Sequence, residues 1–158
     1  MPPKLVYDLD KIDPQGLVFG PEKIREVNPQ RGDFEHLDGI ALYKPEDQIV
    51  IGFKNVREDE FWVSGHVPGR PLLPGVLMLE AAAQLCSFYS NLQNDNEYFY
   101  ALGGIDGARF RGTVTPGERL FLLAKPQTLK PARSVFRTQG AVNGKLVFEA
   151  EILGIRLR

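Results

Sequence analysis

The sequence predicts an α+β domain in which one long central helix is wrapped by a curved antiparallel β-sheet. Three observations carry this expectation. Pro71 to Ser90 is a largely apolar run long enough for one substantial helix. Short segments rich in β-branched and aromatic residues stand before and after it. Asn143-Gly144 between two such segments is a strong hairpin signal. A helix this apolar has to be covered on most sides, and a sheet curved around it does so within one domain. The chain of 158 residues suffices for one such domain, 1–158, and is short for two.

The elements follow in order. Residues 1–20 read as an irregular arm. Pro21 suits the first turn of a short helix that Asn28-Pro29 ends after Val27. Ile40 to Tyr43 and Ile49 to Phe53 read as strands around the turn Lys44-Pro45-Glu46-Asp47. Gly65 to Pro74, with three prolines and two glycines, is a shaped loop feeding the long helix. Pro74 fits its first position and Gly75 its second, with the helix running to about Asn91. Further strands are expected over Tyr98–Gly104, Ala108–Val114, Leu120–Ala124, Val135–Val142 and Leu146–Leu153.

Composition excludes several functions. Nineteen Lys and Arg against twenty Asp and Glu give a formal net charge of −1, which argues against a dedicated nucleic-acid binder. The only cysteine, Cys86, rules out an intrachain disulfide and a multi-thiolate zinc site. The first residues lack the apolar run of a secretory signal, so a reducing, cytoplasmic setting is expected. Pro71 to Ser90 matches a membrane span in length but carries Glu80 and Gln84 mid-run. A buried helix is the better reading.

Three features point to chemistry. Glu80, Gln84, Ser87 and Asn91 fall on one narrow seam of the helix, spaced four, three and four apart. A carboxyl group in an apolar seam is the kind that can remain protonated and act as a general acid. His66, in Gly65-His66-Val67-Pro68-Gly69, sits where glycines and prolines shape the backbone just before that helix. An imidazole suits proton removal near neutral pH. The other histidine, His36, lies in a charged stretch and is expected to be solvated. The helix start, Pro74-Gly75-Val76, offers amide N–H groups without helical partners, a place for a carbonyl oxygen gaining charge.

The whole stretch from Gly65 to Gln84 closely resembles the signature of the FabZ-type β-hydroxyacyl-acyl-carrier-protein dehydratases: His-Phe-Pro-Gly, then Pro-Gly-Val-Leu, then Glu-Ala-x-x-Gln. Gly104-Ile105-Asp106-Gly107-Ala108-Arg109-Phe110-Arg111 and Val142 to Glu151 resemble the family as well. The likeness runs from about residue 21 to 157. It implies the hotdog fold, a homodimer or a trimer of dimers, and active sites that pair the His of one subunit with the Glu of the other. It implies dehydration of a (3R)-3-hydroxyacyl chain carried on acyl carrier protein in fatty acid synthesis. His66 would be the base and Glu80 the acid. Gly75 would hold the thioester carbonyl beside Pro74 and Val76, and Gln84 would orient Glu80 or the water. No metal or organic cofactor is implied.

Two positions depart from the family pattern. Val67 replaces its Phe, and Gln30-Arg31-Gly32-Asp33-Phe34 replaces its His-Arg-x-Pro-Phe. The same fold also leaves open an (R)-specific enoyl-thioester hydratase, a thioesterase, or a non-catalytic acyl-thioester-binding subunit. Charge is uneven along the chain. Residues 1–79 carry a net of −4 and residues 80–158 a net of +3. Arg109, Arg111, Arg133 and Arg137 are therefore candidates for docking an acidic carrier protein.

Overall fold

In the computed structural model, which describes Met1 and residues 3–157, six strands form one antiparallel sheet around one long helix. The short helix α1 spans Pro21–Val27. The strands are β1 (Gly39–Lys44), β2 (Ile49–Asn55), β3 (Tyr100–Phe110), β4 (Arg119–Lys130), β5 (Arg133–Val142) and β6 (Lys145–Arg156). The long helix α2 is Gly75–Gln93. The sheet order is β1-β2-β4-β5-β6-β3, so β3 leaves its neighbours in sequence and pairs at the far edge with β6. This is the helix-and-sheet arrangement expected of the hotdog fold.

Strand periodicity explains the core. Along β2, Val50 faces the cluster that packs against α2, whereas Ile49, Ile51 and Phe53 face a second cluster. Along β4, Leu120, Leu122 and Ala124 join the first cluster and Leu123 the second. Both strands are therefore buried on both faces, which accounts for apolar runs without alternation. From α2 come Met78, Ala81, Ala82, Leu85 and Phe88, all buried against the sheet. At Gly52 the helix comes so close that a Cβ would lie 3.0 Å from Leu85 Cδ1.

The arm covers the outer face. Leu5, Val6, Tyr7 and Leu9 pack on the second cluster, and Ile12 is part of it. Gln139, fully buried in β5, accepts the Val6 N–H and donates to the Lys4 carbonyl. The arm also holds a 3-10 turn at Leu9–Lys11 and a bridge from Phe19 to Ile40.

Several boundaries differ from the sequence reading. Pro74 caps the helix and Gly75 is its first residue, one place later than expected. The two strands expected between Tyr98 and Val114 are one strand, β3, interrupted by two irregularities in its pairing with β6. Residues 111–118 are not strand, although Val114 is buried and its carbonyl accepts the Leu73 N–H. Asn143 and Gly144 both have positive φ, 50° and 74°, forming the tight turn between β5 and β6 that the dipeptide predicts.

Candidate active site

Three stretches supply the site: the loop after β2, the start of α2, and the segment after α1. The loop carries His66. Its backbone N–H donates to the Trp62 carbonyl at 2.9 Å, and Trp62 is buried. The imidazole Nδ1 lies 2.9 Å from the Leu72 carbonyl oxygen. A carbonyl only accepts, so this contact assigns the hydrogen to Nδ1 and leaves the Nε2 lone pair free. The ring is exposed within the single chain.

Leu77 and Met78 donate their N–H groups back to Pro74, closing the first turn of α2. Among the described residues, the N–H groups of Gly75 and Val76 have no acceptor. Gly75 is needed there because Phe110, at the end of β3, leans over it. A Cβ on Gly75 would stand 2.8 Å from Phe110 Cε1. Val76 projects outward, 71 % exposed.

Glu80 is half-buried one turn further along. Its Oε1 accepts the Gln84 Nε2 hydrogen at 2.9 Å. Gln84 is itself buried and fixed on every polar atom. Nε2 also donates to the Phe34 carbonyl at 2.7 Å, Oε1 accepts the His36 N–H at 3.1 Å, and its carbonyl accepts from Asn28 Nδ2 at 2.9 Å. The Gln84 amide therefore has one sensible orientation, and it presents a donor to Glu80. The rest of the seam is inward too. Ser87 and Asn91 are buried, and Asn91 Nδ2 donates to the Val27 carbonyl and to Ser87 Oγ. The polar seam thus anchors the segment after α1 to the long helix.

Glu80 and Gln84 open into a cavity of about 230 Å³ between α2 and strands β3 and β6, where Ala83, Cys86, Tyr100 and Leu153 form part of the wall. His66 is not part of that wall, and its ring makes no hydrogen bond to Glu80 within the chain.

His36 contradicts the solvated reading. It is only 2 % exposed, below Gln84 and near Lys54 and Glu60. Burial first, then the Lys54 ammonium, push its imidazole down to about 4. The charged neighbours in sequence hid this, because its burial comes from α2 and β2, distant in sequence. The four arginines do not gather at one spot. Arg109 and Arg111 flank Phe110 beside the start of α2, and Arg111 is paired with Glu149 at 3.1 Å. Arg137 lies midway along β5 opposite Glu151, and Arg133 is the first residue of that strand.

Sequence reasoning missed the Leu72 carbonyl, Asn28 and Phe110. Only Asn28 left a signal, as a polar residue closing an amphipathic turn before proline. Among the described residues no helix is long and apolar enough to cross a membrane.

The sequence model of the FabA-like domain matches residues 28–151. A FabZ 3-hydroxyacyl-[acyl-carrier-protein] dehydratase of Polynucleobacter necessarius is 37% identical over 133 residues, covering 82% of this chain and 87% of that protein. The enzyme of the same name from Ralstonia nicotianae is 37% identical over 139 residues, 85% of this chain and 84% of that one. Among solved structures, the dehydratase heterocomplex ApeI:P of Xenorhabdus doucetiae superposes with a TM-score of 0.72 at 17% identity. That match covers 85% of this chain and 91% of that one, and it speaks for the fold. With its helix-and-sheet architecture, its Glu–Gln seam and relatives matched over most of their length, the chain belongs to the FabA-like family, among its FabZ 3-hydroxyacyl-[acyl-carrier-protein] dehydratases.

Proposed function

We propose that this protein removes water from a (3R)-3-hydroxyacyl chain on acyl carrier protein, giving the trans-2-enoyl thioester of fatty acid synthesis. The observation that carries the reading is the fixed Glu80–Gln84 pair at the mouth of a cavity beside an uncapped helix start. His66 Nε2 takes the α-proton, its ring held by the Nδ1 hydrogen bond to Leu72. The electrons of that C–H bond delocalise onto the thioester oxygen, which the Gly75 N–H at the positive end of α2 stabilises. They then form the α–β double bond as the β-hydroxyl leaves, protonated by Glu80. His66 ends protonated and Glu80 ionised, and proton exchange with solvent resets both. The acyl tail occupies the cavity along α2.

Each site is shared between two copies of the chain. What supports this is the absence of a link between His66 and Glu80 within one chain, together with the free edge of β3. That edge carries exposed Leu102, Ile105 and Phe110. The exposed Arg109 and Arg111 would meet the acidic carrier protein. The single thiol, Cys86, is free and buried, consistent with a cytoplasmic setting.

Purified protein incubated with 3-hydroxyacyl and trans-2-enoyl thioesters, on carrier protein and on coenzyme A, tests the proposal. Wild type should turn over the carrier-linked substrate, with His66→Ala and Glu80→Gln each at least a hundredfold slower. Preference for coenzyme A esters in the hydration direction would instead mark a hydratase. No thioester turnover at all would mark a binding subunit. Mixing the two inactive variants should restore part of the activity through mixed dimers. No recovery after confirmed subunit exchange would rule out the shared site.

A further inference from the structure

Apart from the site, one pair of opposite charges is sealed inside the protein among the described residues. Lys54 Nζ stands 2.5 Å from Glu60 Oε1, and the two side chains are 2 % and 6 % exposed. Lys54 shares the parity of Val50 on β2, so it points to the α2 side of the sheet, into space that strand alternation reserves for an apolar residue. Stability does not explain such a pair. Well-packed apolar residues of similar volume serve a core as well or better, because both ions must be stripped of water.

The pair's connections lead to His66. Glu60 uses its second oxygen to accept the Arg57 N–H at 2.9 Å, and its carbonyl accepts the Val63 N–H at 3.1 Å. Two residues on, the buried Trp62 offers its carbonyl to the N–H groups of Gly65 and His66, at 3.3 and 2.9 Å. The His66 ring then reaches Leu72. No helix or strand lies between Val56 and Pro74, and side chains added at Gly65 or Gly69 would meet nothing within 4 Å. Glu60 is thus the point where this open loop is tied, by charge, to a strand of the sheet.

We propose that Lys54 and Glu60 are positioning residues for the base: the buried pair sets where the His66 imidazole stands, and so the rate of proton removal. This rests on His66 acting as the base. The test uses full-length wild type and the double variant Lys54→Met/Glu60→Met, which keeps volume and removes both charges. Arg57 is exposed, so water can replace the acceptor its amide loses.

The double variant is expected to melt at or above the wild-type temperature, with kcat down tenfold or more and KM within twofold. Nitrogen-15 spectra of the side chains provide a readout that does not depend on turnover. The chain has two histidines, and His66→Ala identifies the His66 signals. Wild type should show the Nδ1–H form of His66, and the double variant a mixture of both neutral forms.

Failure to fold would make the pair a stability element and overturn the proposal. So would kcat within twofold of wild type, a change confined to KM, or a kcat loss with the Nδ1–H form intact. Activity surviving in His66→Ala would overturn the underlying assignment of the base instead, and is seen in a different protein from the pair variant.

Discussion

A histidine at 2 % exposure, with Nδ1 lacking a partner and an ammonium nearby, resists protonation. For His36 the consequence is an acid limit on stability. Its pKa is near 6.5 unfolded and about 4 folded. Between those values the unfolded chain binds more protons, so the neutral ring's contribution is complete above about pH 6.5 and is lost as pH falls toward 4. Thermal melts across that window should show a loss on the order of 2 kcal/mol. The slope should flatten in His36→Gln, and an unchanged slope would place the acid sensitivity elsewhere. Glu60 and Asp33 partly counter the effect of Lys54. At the helix start, Gly75→Ala drives a methyl against Phe110, 2.8 Å from its ring. Phe110 holds its ring over Gly75 at the end of β3, so the helix start gives way and kcat should fall about tenfold through a displaced helix N-terminus. Gly75→Ala/Phe110→Ala should recover part of that loss. If it does not, the clash is not the cause.

The arm is the element whose role only the structure reveals. Its apolar side chains cover Ile49, Ile51 and Phe53, and Gln139 holds its backbone by two hydrogen bonds. Deleting residues 1–12 should cost about 3 kcal/mol or more of buried apolar surface. That is a drop of about 6–12 °C in melting temperature for a chain of this size. Gln139→Ala should give part of the same drop, and a truncated protein melting like the full chain would refute the role. Legibility divides along the same line. The strands and the hairpin could be read because runs of β-branched and aromatic residues and Asn143-Gly144 are local signals. The Glu80–Gln84 contact could be read because spacing of four on a helix brings residues together without knowledge of the rest, and the helix start because Pro74-Gly75 is a local signal. The covering arm, buried His36 and the Lys54–Glu60 pair each depend on contacts between segments far apart in sequence. Lys54 left a trace, a charge at a core-facing position of β2, which has meaning only once the facing helix is known. Likewise the sequence could not show that Tyr100–Phe110 is one continuous strand, since the irregularities that bend β3 are set by its pairing with β6.

For the molecule as a whole, the arm covers part of one face of the sheet and α2 packs on the other, and β3 is an edge strand with exposed apolar side chains, where the proposed second copy would sit. Ile105→Lys should therefore shift the protein from dimer to monomer in sedimentation, with activity falling in parallel and the melting transition still cooperative. An active monomeric wild type would sink the shared-site reading. The topology has a further bearing on how the protein is made. The loop with His66 and the helix with Glu80 are translated midway, but β3, which walls the cavity beside them, has no partner until Lys145–Arg156 has emerged from the ribosome. Every nascent chain thus passes through a stage in which an apolar helix is present and its wall is missing. A premature stop before residue 145 would fix the protein at that stage, with an apolar surface that chaperones bind and proteases clear.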